Sequence, residues 1–143
     1  MSTATPDGPT PTPSESPNPR VGALTMQIII RRDLLDVEKW PIGPLIAQGS
    51  HAATAIMHLQ RENQAMKDYT ADWKHMRKAI LQTPDEETIR SLSNALTNAT
   101  PPIEHHLWIE EPENEPTALA ILPNKREKRL KKILDAHRVE LWK

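Results

Sequence analysis

The chain has 143 residues, a formal net charge of −1 and 37% hydrophobic residues, which suits one domain with a single core plus a tail. It contains no cysteine, so a disulfide framework, a thiolate nucleophile and a cysteine zinc site are excluded. No apolar run approaches the ~20 residues a membrane-crossing helix needs, and the N-terminus lacks the basic flank and apolar core of a signal peptide, so a cytoplasmic protein is expected.

Residues 1–22 hold six of the fourteen prolines with Ser, Thr and Gly and almost no large apolar side chain. Such a segment buries too little surface to offset its ordering entropy, so a disordered tail is expected, with a Pro-rich dock for a protein partner as the lesser reading. The folded domain is then residues 23–143. Leu24 to Ile30 reads as a central strand, because both alternating sets are apolar. Trp40-Pro41-Ile42-Gly43-Pro44 forms a stiff loop, with Pro44 in the first turn of a helix running to about Asn63. A second helical piece spans Gln64 to Met76, and Lys78 to Gln82 is a short strand. Thr83, Pro84 and Glu86 make a capping box for the next helix, with Ile89, Leu92, Leu96 and Ala99 as its inward stripe. His106 to Ile109 and Thr117 to Leu122 are two strands joined by a Glu- and Pro-rich loop. Lys125 to about Ala136 is a helix, and Val139 to Trp142 a last strand. Strands alternating with helices imply a single compact α/β domain, a mixed sheet of four to five strands flanked by helices.

The most informative stretch is Gln48-Gly49-Ser50-His51-Ala52-Ala53-Thr54-Ala55. At 100° per residue, Leu45, Gly49, Ala52, Ala53, Ile56 and Leu59 share one side, while Gln48, His51 and Thr54 share another that can face a cleft. His51 is therefore the residue to explain. Ser50 points about 100° away from it, so the two cannot form a nucleophile–base pair. No helical His pair, glycine-rich loop or Gly-x-Ser-x-Gly elbow occurs, so neither a metal nor a cofactor is expected.

These motifs resemble the type-2 peptidyl-tRNA hydrolases, and more closely the branch of peptidyl-tRNA hydrolase domain-containing proteins. Arg31-x-Asp33-Leu34 after the first strand and Ala47-Gln48-x-x-His51-Ala52 in the helix carry the superfamily likeness. Trp40-Pro41-x-Gly43, Pro84-Asp85-Glu86 and Leu107-Trp108-Ile109-Glu110-x-Pro112-Glu113-Asn114 carry the branch likeness. Together they cover residues 24–143 in order. The resemblance implies the type-2 peptidyl-tRNA hydrolase fold and cleavage of the ester between a peptide and the 3′ end of tRNA. It places Gln48, His51, Arg31 and Asp33 on family positions. It sets Glu110, Pro112 and Asn114 against an Asp-Ala-Gly-x-Thr loop that is shorter here. A functional lysine of the family, four residues before the glutamine, is replaced by Pro44.

Ester cleavage needs an activated water and charge stabilisation on the carbonyl oxygen. His51 is expected to accept a proton from water, Glu110 to orient the imidazole, and Gln48 or Asn114 to donate to the oxyanion. The plainer alternative makes His51 a helix histidine with a structural hydrogen bond. Arg31 is expected to help bind the substrate, and the basic set Lys125, Arg129 and Lys132 to bind tRNA phosphates, although an ordinary solvated helix face explains the basic set equally well. The four tryptophans are expected to be packing residues. The alternative function is a catalytically weak or inactive relative that binds tRNA or a protein, and a third is hydrolysis of a non-RNA acyl ester.

Overall fold

A computed structural model describes residues 23–143, so the expected tail at residues 1–22 lies outside the described residues. Five strands form one mixed sheet in the order β3-β4-β1-β2-β5. β1 (Thr25–Arg31) pairs in parallel with β2 (Arg77–Thr83) and antiparallel with β4 (Glu115–Ile121). β3 (His105–Glu110) and β5 (Glu140–Leu141) close the edges by antiparallel pairing with β4 and β2. The α/β mixed sheet expected from the sequence is the fold observed.

Strand alternation divides the core between the two faces. Met26, Ile28 and Ile30 meet Leu45, Ala52, Ala53 and Ile56 of α2 (Ile42–Leu59) and Met66 and Tyr69 of α3 (Gln64–Ala71). On the reverse face, Ile29 meets Ile89, Leu92 and Leu96 of α4 (Glu86–Asn98) and Leu130 of α5 (Lys128–Ala136). A short helix, α1 (Asp33–Asp36), follows β1 directly. Gly49 lets α2 lie close on the sheet, since a Cβ there would stand 3.2 Å from Cδ1 of Ile30. No helix among the described residues is long and apolar enough to cross a membrane.

Several local expectations are corrected. α2 ends at Leu59 instead of Asn63, because the Asn63 side chain accepts from the Ala65 N–H and starts α3. α3 itself stops at Ala71 and gives way to a 3₁₀ turn, Trp73–His75. Thr83 does not cap α4; it ends β2 and its hydroxyl donates to the His137 carbonyl. Asp85 caps instead, accepting from the Thr88 N–H at 2.9 Å and the Thr88 hydroxyl at 2.6 Å. α5 begins at Lys128, three residues later than expected, since Asn124 is pinned to β1 by backbone bonds with Thr25 and side-chain bonds with Gln27. Leu59, assigned to the inward side of α2, is exposed at its end.

Candidate functional site

α2 crosses β4 and β3 with Gln48 turned inward and His51 outward, so the shared cleft side expected for them is split. Gln48 is 2% exposed, whereas His51 stands in solvent. A buried amide needs partners for both of its ends. The Thr117 hydroxyl of β4 donates to the Gln48 Oε1 at 2.6 Å, and the Gln48 Nε2 donates to the Glu110 Oε2 at 3.3 Å. Glu110 ends β3 half-buried, and its Oε1 accepts from the Trp108 indole N–H at 3.0 Å.

Trp108 connects this polar chain to His51. Residues two apart on a strand share a face, so Trp108 and Glu110 both turn toward α2. The indole and the His51 imidazole are stacked, with centroids 4.7 Å apart and planes inclined by 26°. His106, two residues earlier, meets the same indole edge-on at 6.4 Å and 61°. Burial, and then repulsion from His105, lower the pKa of His106. His105 faces the other way, bonded to the Ser93 hydroxyl and the Ile103 carbonyl. Glu110 reaches His51 through the indole and makes no direct hydrogen bond to it. Neither nitrogen of His51 is hydrogen-bonded among the described residues.

Trp108 and Thr117 are the residues sequence reasoning missed. The expected strand stopped at Ile109 and left Glu110 in the loop; the observed strand includes Glu110, and the sheet order brings it and Trp108 under α2. Thr117 left a faint signal as a hydroxyl in a strand that is otherwise apolar or flanked by Glu115 and Pro116.

Arg31 is 3% exposed and fully engaged. Its guanidinium donates to Asp33 twice, to Glu38, to Glu115 and to the Pro116 carbonyl, at 2.8–3.1 Å. Glu86 stands 4.0 Å away. Burial opposes the charge, but Asp33 and then Glu115 outweigh it and raise the pKa. All five N–H donors of the guanidinium are therefore spent within the protein. Asn114 lies exposed in the loop between β3 and β4 with φ 58°, a left-handed backbone that asparagine tolerates well. Pro44 is exposed in the first turn of α2.

The basic residues sit elsewhere. α5 packs on the face opposite α2, so Lys132 lies across the sheet from His51. Lys125 and Arg129 line a cavity of about 410 Å³ at the end of the sheet where β1 begins, together with Asn63, Glu104, Asn124 and Glu127. Arg129 is partly committed, donating to the Pro101 carbonyl at 2.7 Å and lying 3.5 Å from Glu127. Among the described residues, no group of three or more His, Cys, Asp or Glu side chains is placed to hold a metal.

Residues 24–137 match the family model described as peptidyl-tRNA hydrolase PTH2. The human protein named "Putative peptidyl-tRNA hydrolase PTRHD1" is 38% identical over 105 residues, 73% of this chain and 74% of its own length. The mouse protein of the same name gives the same identity and coverage. Residues 24–137 take in β1 to β4, α1 to α5 and the whole His51–Trp108–Glu110–Gln48 assembly, and leave out only the short edge strand β5. The chain belongs to the type-2 peptidyl-tRNA hydrolase family.

Proposed function

We propose that the chain hydrolyses the ester between a peptidyl group and the 3′ end of tRNA, without a cofactor and in the cytoplasm. One observation carries this reading: an exposed imidazole with both nitrogens free, held on a buried polar chain inside a peptidyl-tRNA hydrolase fold. His51 takes a proton from water as the water oxygen bonds to the ester carbonyl carbon. The bond to the ribose 3′ oxygen then breaks, and the imidazolium returns the proton to that oxygen. Asn114, exposed on the neighbouring loop, donates to the carbonyl oxygen as charge develops. Glu110 and Gln48 act through Trp108, fixing the indole on which His51 rests. Arg31 holds the loop between β3 and β4 through Glu115 and the Pro116 carbonyl. Lys125 and Arg129 attract RNA phosphates from the end of the sheet, and Lys132 does so from the opposite face.

Turnover of purified peptidyl-tRNA by the wild type and by His51→Ala tests the reading. General-base assistance supports an expected fall of ~10²–10⁴ in rate. Equal rates would remove His51 from the chemistry. Pro44 at the family's lysine position, and a carboxylate that meets His51 only through an indole, favour a second reading. On that reading the chain binds tRNA or a protein without turning it over, and wild-type protein would show affinity with no release of peptide.

A further inference from the structure

We infer that the outer face of His51 carries a nucleobase, the terminal base of an RNA 3′ end, as a third ring on the stack that Trp108 begins. The inference rests on the tRNA reading above and specifies what its site recognises.

The way His51 is held points to this. A histidine in a structural role is usually fixed by its ring nitrogens, which donate to or accept from a neighbour. His51 is fixed by a face: the indole lies 4.7 Å away, tilted by 26°, and neither nitrogen is bonded among the described residues. One flat face is covered by Trp108, and the residue stands in solvent. Offset stacking at this separation is the favoured arrangement for planar rings, and a further planar ring can continue it.

The floor of the stack is rigid. The Trp108 N–H is bonded to Glu110, Glu110 to Gln48, and Gln48 to the fully buried Thr117, while His106 meets the indole from its edge. A platform fixed before the ligand arrives loses little freedom on binding. Base–aromatic stacking also tolerates any base, because every base has a π face.

Glu110 favours a nucleoside over an aromatic amino-acid side chain of the substrate's peptide. A carboxylate offers about four acceptor positions, and Trp108 and Gln48 occupy one on each oxygen. The ribose hydroxyl beside a stacked base is a donor for a remaining position, whereas a phenyl ring brings none. The cations also suit a polymer. Gln60, at the end of α2, bonds to Glu104 on the wall of the cavity that holds Lys125 and Arg129. That is nine residues beyond His51, or roughly 14 Å along the helix. A strand starting on His51 can run along α2 toward them.

The test titrates the full chain with the trinucleotide CCA, and with the same trinucleotide lacking its 3′ base. The Trp108 indole N–H and the His51 ring protons are followed by NMR. The expected result is an upfield shift of the His51 ring protons with CCA and at least about tenfold weaker binding of the abasic form. His51→Ala should erase that difference. His51→Phe should restore it while turnover of peptidyl-tRNA stays lost, since phenylalanine keeps the flat ring but no proton acceptor.

Equal binding of the two trinucleotides by wild type would overturn the stack. So would a His51→Ala variant that still discriminates between them, and in that case lost turnover would leave the hydrolase reading standing. Conversely, His51→Ala that hydrolyses at the wild-type rate but no longer discriminates would uphold the stack and end the general-base role.

Discussion

Thr117 has no exposed surface, yet its hydroxyl settles the orientation of a site on the protein's exterior. It donates to Gln48, which is thereby free to donate to Glu110, which holds Trp108 under His51. Thr117→Val keeps the shape and removes the donor, leaving a buried amide oxygen without a partner. Unfolding in urea should report a loss of about 1–3 kcal/mol, and turnover should fall although the substituted side chain would touch no substrate. A variant with wild-type stability would sever Thr117 from the chain of bonds. At this scale helical spacing singled out His51 and Gln48, and the family resemblance alone singled out Glu110. The sequence concealed how they connect, since a carboxylate expected against an imidazole is instead joined to it by an indole. Trp108 read as packing because nothing local distinguishes an indole that fills a core from one that supports a neighbour.

Helices and strands were legible where pattern and length agreed. The run Leu24 to Ile30 foretold β1 almost to the residue, and the small residues of α2 foretold close contact with the sheet. Boundaries failed where a distant partner decided them. Thr83, the expected cap of α4, is claimed by the His137 carbonyl, 54 residues away, which takes its hydroxyl. Asn124 is claimed by β1, which delays α5. β3 carries a pH response of its own. Its His106 has a pKa below the usual 6.5, from burial first and the adjacent His105 second. Above about pH 6.5 the folded and unfolded chains both hold it neutral. As pH falls below that value the unfolded chain takes up a proton that the native one refuses, so stability declines until the folded pKa is passed. Chemical denaturation between pH 7 and 5 should show this decline, with a shallower slope for His106→Gln. An unchanged slope would assign the acid sensitivity to other groups.

At the level of the whole molecule, the sheet separates two kinds of surface. His51, Trp108 and α2 occupy one face, while α5 and its lysines occupy the other, with Lys125 and Arg129 at the rim between them. An RNA that engages both has to bend around the end of the sheet where β1 begins. Each phosphate contact with single-stranded RNA adds ~0.7 to the slope of log affinity against log salt. Lys125→Gln should therefore flatten that slope for tRNA by about this amount, and His51→Ala should leave it unaltered. A slope indifferent to Lys125 would make the basic helix an ordinary wet surface. This separation was invisible in the sequence, because the basic run and the histidine motif each look complete, and only sheet order tells which side either occupies.

The guanidinium of Arg31 bridges segments remote in sequence, reaching Asp33 and Glu38 around α1 and Glu115 on the far side of the chain. Breathing motions that free the turn after Glu110 must therefore also strip that cation of its anions inside a water-poor interior. Amide protons of α1 and of residues 111–115 should accordingly exchange with deuterium as one cooperative unit. In Arg31→Met, where the knot is undone, the two segments should open at separate rates.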